Sequence, residues 1–287
     1  MNNNSMPLRR RLRIALARGA VWLAGALAAA LTLGILALVL VRGVPQLSVS
    51  LLTSVPSVIR KVDGILPFML NTLYIIVLSL LIALPLGVGA AVYLTEYAEN
   101  RRLIAVIEFT TETLAGIPSI IFGLVGMLVF VNALGLQSSL LSGSLTLVIM
   151  TLPVILRTTQ ESLKTVPTGY REGAVGLGAT KWHVIRTVVL PCSLDGILTG
   201  SILAVGRIVG ESAALLFTAG CGTALLTNVL SAYSRSGATL SVALYLYAFE
   251  NGNFRVAWAI AAVLLLLVLL IDLLAKLARR KYKRKEN

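Results

Sequence analysis

Six stretches of this chain each hold enough consecutive apolar residues to cross a lipid bilayer, and that property removes most folds from consideration. A helix rises about 1.5 Å per residue, so roughly 18 to 20 apolar residues span the hydrocarbon core. The qualifying windows are 21–41, 68–94, 114–134, 140–156, 194–219 and 256–277. Inside lipid every backbone N–H and C=O must be satisfied within the segment, which leaves helices or closed barrels. Barrel strands are about 9 to 11 residues of alternating polarity, and nothing here alternates. The expected fold is all-α, a polytopic membrane protein with six transmembrane helices. It divides into a basic tail, first helix and outer loop (1–66), a five-helix core (67–278) and a second basic tail (279–287).

A net charge of +13 on such a chain raises the question of a polyanionic partner. Most of the 25 Lys and Arg lie in four places. These are the N-terminal tail (Arg9, Arg10, Arg11, Arg13, Arg18), the second loop (Arg101, Arg102), the fourth loop (Arg157, Lys164, Arg171, Lys181, Arg186) and the C-terminal tail from Lys276 to Lys285. Six crossings put all four on one side, and the excess of basic residues in cytoplasmic loops makes that side the cytoplasm, with both termini inside. The first and fifth loops carry only Arg42, Arg60, Lys61, Arg235 and Arg255. Topology and contact with anionic headgroups account for the surplus, so no nucleic-acid partner is expected.

The basic N-terminus ahead of an apolar run has the outline of an export signal. That run exceeds the 7 to 15 residues of a cleavable signal, so it reads as a retained first span. Cys192 and Cys221 would sit about 40 Å apart at opposite ends of a continuous fifth helix, beyond disulfide reach. His183 is a lone loop histidine without companions for a metal. Catalytic patterns are lacking too. Gly173 and Gly178 have the glycine spacing of a phosphate-binding loop, but Ala179 stands where its lysine belongs. No ATPase or other enzymatic centre, and no cofactor, is expected in this chain.

The fourth loop, E-G-A-V-G-L-G-A-T-K-W-H-V-I-R-T-V-V-L-P over 172–191, is unusually structured for a loop between two spans. After Pro167, Gly169 is expected to break the descending helix, 170–177 to form a short helix, Gly178 to turn and 181–190 to form a second helix ended by Pro191. Gly173, Ala174 and Gly176 would give this knob a small-residue surface suited to a groove on another protein. An ordered loop that docks nothing is the alternative.

The fifth window carries Arg207 and Glu211 four residues apart, on one face of a continuous helix. A charge at the bilayer centre costs about 2.5 to 3.5 kcal/mol on insertion scales, so such residues face a cavity or each other. Mutual neutralisation is one reading. A path for an oxyanion is the other, since the planar guanidinium stays charged and fits tetrahedral oxygens.

Glu172, Ala174, Gly178 and the pair Leu190-Pro191 resemble the E-A-A-x3-G-x9-I-x-L-P signature of binding-protein-dependent ABC importer permeases, with Gly173 for the first Ala and Val188 for Ile. The stretch G-R-I-V-G-E-S from Gly206 is similar to the G-R-x-x-G-E-[TS] element of the phosphate permeases of that family. Ala115-Gly-Ile-Pro-Ser-Ile-Ile-Phe-Gly123, Ile82-Ala-Leu-Pro85 and Tyr93-Leu-Thr-Glu-Tyr97 are similar to the same group. The resemblance covers about residues 71–276. It implies a type I (MetI-like) importer core in a bacterial cytoplasmic membrane, a coupling loop at about 157–193 and alternating access. The implied partners are a homologous second permease, two ATPase subunits holding ATP and Mg, and an extracytoplasmic phosphate-binding protein. Glu172, Ala174 and Gly178 would receive ATP-driven motion, and Arg207 with Glu211 would line the phosphate path.

Three further expectations concern shape. Pro85, Pro118 and Pro153 serve as hinges or simple kinks. Gly196-x3-Gly200 and Gly206-x3-Gly210 pack against the partner permease or against helices of this chain. The segment 220–253 is an outer excursion, helical and interfacial, that meets the binding protein. The competing functions are an ion-coupled carrier, a permease for another oxyanion such as sulfate, and a non-transporting scaffold.

Overall fold

The computed structural model describes residues 8–57, 62–225 and 228–286, so Arg60 and Lys61 of the first loop lie outside it. Among the described residues the only regular structure besides helices, which are joined by turns and irregular links, is one isolated bridge, Ser57 to Val62. Helix α1 is Leu8–Gly43 and α2 is Leu66–Val92, which runs on through a π-helical turn, Tyr93–Tyr97. Next come α3 (Arg101–Ala115), α4 (Ser119–Gly126, widened into a π turn over Met127–Ala133) and α5 (Leu140–Thr165). The fourth loop holds α6 (Thr168–Gly176) and α7 (Lys181–Val184). Then come α8 (Leu190–Gly210), α9 (Ala213–Thr218), α10 (Leu240–Tyr245, followed by a π turn over Leu246–Glu250) and α11 (Phe254–Glu286), with short single-turn helices at Val44–Gln46, Val49–Thr53 and Val229–Ala232.

Among the described residues five helices, Leu12–Gln46, Leu66–Tyr97, Leu140–Thr165, Lys181–Gly210 and Phe254–Leu277, are long and apolar enough to cross a membrane, and the bent pair Arg101–Ala115 with Ser119–Ala133 makes a sixth if taken as one span. The third predicted span differs from expectation. It begins at Ser119 rather than residue 114, because Gly116-Ile117-Pro118 bends the chain by 101° between α3 and α4. Pro118 blocks continuation of the helix before it, and Asn100 caps the start of α3 by accepting from the N–H of Arg102 and of Leu103. What remains, Ser119–Ala133, is only about 22 Å long at 1.5 Å per residue. Helices α2 and α5, by contrast, continue without a break past Pro85 and Pro153.

The bundle is built on α2, α5 and α8, which pack against one another, with α4 and α9 paired beside α5. Its main core gathers Phe68, Ile75, Leu147, Met150, Ile208, Leu215, Leu240 and Ile260. Glycine sets the spacing between α5 and α8. A Cβ on Gly196 would collide with Ser162 and one on Gly200 with Thr158, so this pair serves contacts inside the chain rather than a partner. Gly206 and Gly210, in contrast, have nothing within 4 Å of an added Cβ. Gly200→Leu is expected to force α8 off α5 and cost about 1 to 3 kcal/mol, read as a lower midpoint of heat inactivation in detergent.

The segment 220–253 departs from the expected surface helix. Leu240, Ser241, Val242 and Ala243 are buried against α2 and α11. Two polar side chains of α2 hold this segment: Asn71 Nδ2 donates to the carbonyl of Ala238 (3.0 Å), and Thr72 Oγ1 accepts from the N–H of Leu240 (2.9 Å). Helix α1 is exposed along nearly its whole length and is held at its end, where Gly43 abuts Trp258 and Ala262 of α11.

Candidate functional site

Two places carry the predicted residues: the α6–α7 knob and the end of α8. The knob's first helix starts two residues earlier than the sequence indicates, at Thr168 rather than residue 170. The break falls at Val166-Pro167, and Gly169 lies inside α6. Its far end is a Schellman turn. The N–H of Ala179 bonds the carbonyl of Ala174 at 3.1 Å, the N–H of Gly178 bonds that of Val175 at 2.9 Å, and Gly178 takes φ +85°. This geometry explains the A-x3-G spacing. The residue after the helix must be left-handed, which glycine adopts freely, and the position four before it must be small and apolar to pack under the turn.

Ala174 therefore does not share the open surface with Gly173 and Gly176, as the sequence pattern suggests. It packs with Ala179 on a cluster formed by Val92, Leu94, Leu156, Leu163, Val166, Val184 and Ile185. Gly173 and Gly176 are exposed, and Leu177 at the tip is 91% exposed. Glu172 and His183 are exposed as well, and among the described residues Glu172 has no ion-pair partner.

Pro191 does not end the second helix. Helix α7 passes through a π turn, Ile185–Val189, into α8, giving one unbroken helix from Lys181 to Gly210. In the wide turn the N–H of Leu190 bonds the carbonyl of Ile185, five residues back. Pro191 therefore lies inside a continuous helix, and the wide turn just before it makes room for the ring and for the missing N–H.

At the other end of α8 the predicted single face is broken. The helix stops at Gly210, and Glu211 is extended (φ −78°, ψ 120°), so Arg207 and Glu211 are not neighbours on one continuous helix. Glu211 is buried. Its Oε1 accepts from the N–H of Ala214 at 3.0 Å, capping α9, and its carbonyl accepts from Ser241 Oγ at 2.6 Å. Mutual neutralisation is not what the geometry provides, since no ion pair or hydrogen bond to Arg207 occurs among the described residues.

The depth of Arg207 follows from the register of α8 on α5. Gly196 meets Ser162 and Gly200 meets Thr158, so two turns further on Arg207 lies about halfway along α5. Arg207 is half-buried beside an open stripe of α8 made by Thr199, Leu203, Gly206 and Gly210. The Ser241 bond to Glu211 and the Asn71 and Thr72 bonds to α10 carry no sequence signal, because residues about 30 to 170 apart share no periodicity that would pair them.

Comparison with known proteins places these features. A family model described as the binding-protein-dependent transport system inner membrane component matches residues 83–284. The probable ABC transporter permease protein YqgI of Bacillus subtilis is 39% identical over 75% of this chain and 74% of its own. The phosphate transport system permease protein PstA of Pasteurella multocida is 34% identical over 85% and 86%. Among solved structures, a bacterial alginate ABC transporter in complex with its periplasmic protein superposes with a TM-score of 0.67 at 17% identity, over 96% of this chain and 98% of that one. An inward-facing MetNI methionine ABC transporter gives 0.58 at 22% identity, over 76% and 94%. The fold is thus that of type I importer permeases, and the chain belongs to the binding-protein-dependent transport system inner membrane component family.

Proposed function

We propose that this chain is the permease subunit through which an ABC importer moves inorganic phosphate into the cytoplasm, powered by separate ATPase subunits docked on the α6–α7 knob. The observation that carries it is Arg207, a guanidinium at mid-helix depth with no counterion among the described residues. An uncompensated charge at that depth costs about 3 kcal/mol and persists where a passing anion or a partner supplies the balance. The likeness to PstA proteins supports phosphate as that anion. Glu211 serves the path by shaping it: its cap on α9 holds the bend that ends α8 beside Arg207.

A second permease would cover the open stripe of α8, and an extracytoplasmic receptor would deliver the anion. ATP binding would close the ATPase pair, shift both knobs and open the path outward. Hydrolysis would reset it. No residue of this chain is assigned a catalytic role.

Radiolabelled phosphate uptake by cells lacking the chain, with and without its return, tests the reading. Restored ATP-dependent phosphate uptake supports it. Restored sulfate uptake in its place would assign another oxyanion, and gradient-driven uptake by liposomes holding this chain alone would make it a carrier.

The two cysteines, both free and exposed, report orientation without engineering. With both termini in the cytoplasm, a membrane-impermeant maleimide added to intact cells labels Cys221 and reaches Cys192 only after permeabilisation. Partial desolvation of the sulfur, and then the nearby Glu250, push the Cys221 thiol above its ordinary range. Less thiolate is present at neutral pH, so its labelling should speed up as the pH rises. The reverse order of labelling would invert the topology.

A further inference from the structure

The Thr95-Glu96-Tyr97 turn at the end of α2 has no part in docking or in the anion path, yet it grips the knob from two sides. Arg171 of α6 donates from Nε and Nη2 to Glu96 Oε1, at 3.2 and 2.9 Å. The same guanidinium donates from Nη1 to the carbonyl of Val166 (2.6 Å) and from Nη2 to that of Leu163 (2.9 Å), at the end of α5. One side chain thereby joins α2, α5 and α6. On the other side, Lys181 Nζ of α7 lies 4.9 Å from the centre of the Tyr97 ring.

The Arg171–Glu96 pair is also unlike the others. Its side chains are 23% and 10% exposed, whereas every other ion pair among the described residues leaves both partners at least 35% exposed. Exposed pairs are loose and screened; a mostly buried guanidinium with four of its five N–H donors engaged holds its partners at fixed distance.

At its other end α2 holds the inner segment through Asn71 to Ala238 and Thr72 to Leu240, and Ser241 next along holds the Glu211 carbonyl. A chain of bonded contacts therefore runs from the knob, along the unbroken helix α2, to the bend beside Arg207.

We propose that α2 is the lever that transmits knob movement to the Arg207 bend, and that Glu96 and Tyr97, with Arg171 and Lys181, are the positioning residues that clamp it to the knob. This rests on the reading of the chain as an ATP-driven permease. The test uses the whole complex with its receptor in proteoliposomes and reads anion imported per ATP hydrolysed. Glu96→Gln keeps the side chain's shape and removes its charge. The expected result is a drop of about tenfold in that ratio, with the ATPase still bound and turning over. Tyr97→Leu, at a ring 40% exposed and so tolerant of change, is expected to lower it about threefold.

An unchanged ratio in both variants, or loss of the ATPase from the complex in both, would overturn the proposal, because the clamp would then only support the knob's fold. Should Glu96→Gln fail to assemble, Tyr97→Leu decides. If the unaltered complex imports sulfate and not phosphate, the ratio is read with sulfate, so an error in the assigned substrate is distinguished from failure of the lever.

Discussion

Complexes carrying Arg207→Gln are expected to assemble with their ATPase and yet lose phosphate uptake by about 100-fold. Hydrogen bonds to a charged group contribute about 1.5 to 3 kcal/mol, and a loss at the upper end of that range corresponds to two decades in rate. Assembly should survive because no hydrogen bond or ion pair to Arg207 exists among the described residues, so its charge is not part of the scaffold. Glu211→Gln is the matched comparison. Its amide oxygen can still accept from the N–H of Ala214, so the cap and most of the uptake should remain. Normal transport by Arg207→Gln would remove that residue from the path, whereas equal losses in both variants would return Glu211 to it as an anion-facing group.

The second large effect is expected at the knob. Gly178 holds φ +85°, a region that costs a β-branched residue about 1 to 3 kcal/mol. Gly178→Val would reopen the turn, lift Ala174 and Ala179 from the cluster beneath and misdirect Leu177. The ATPase should then co-purify at about a tenth of its usual amount, or hydrolyse ATP without importing anion. The added Cβ meets nothing within 4 Å, so the effect comes from backbone strain and not from a clash. Gly173→Ala separates the two causes: it lies in the helix with open space around it and should leave uptake intact. Unchanged co-purification and coupling in Gly178→Val would reject the docking role.

Much of this arrangement was legible in the residues. The long helices were visible because a bilayer demands an unbroken apolar run, and Gly178 was visible because a left-handed turn selects glycine. Continuity was harder to read. Leu114 and Ala115 extend the apolar run upstream of Gly116-Ile117-Pro118, which hid the bend between α3 and α4. The end of α8 had no proline to announce it. That break is imposed by tertiary bonds, the Glu211 cap on α9 and the Ser241 bond, which a local window cannot see. Pro191 misled in the opposite direction, since a proline that normally stops a helix is accommodated by the π turn before it. Which glycines face inward depends on the partner helix, and so Gly196-x3-Gly200 and Gly206-x3-Gly210 looked alike although only the first pair is covered.

The Schellman turn governs how force enters the molecule. Its bonds are all local, between residues 173 and 179, so the tooth keeps its outline whatever the rest of the machine is doing. A tooth that does not deform must swing as one piece. Arg171 fastens one root to the end of α5, so compliance falls to the other, the wide turn at Ile185–Val189, and stiffening it should stall the stroke without touching the surface that receives it.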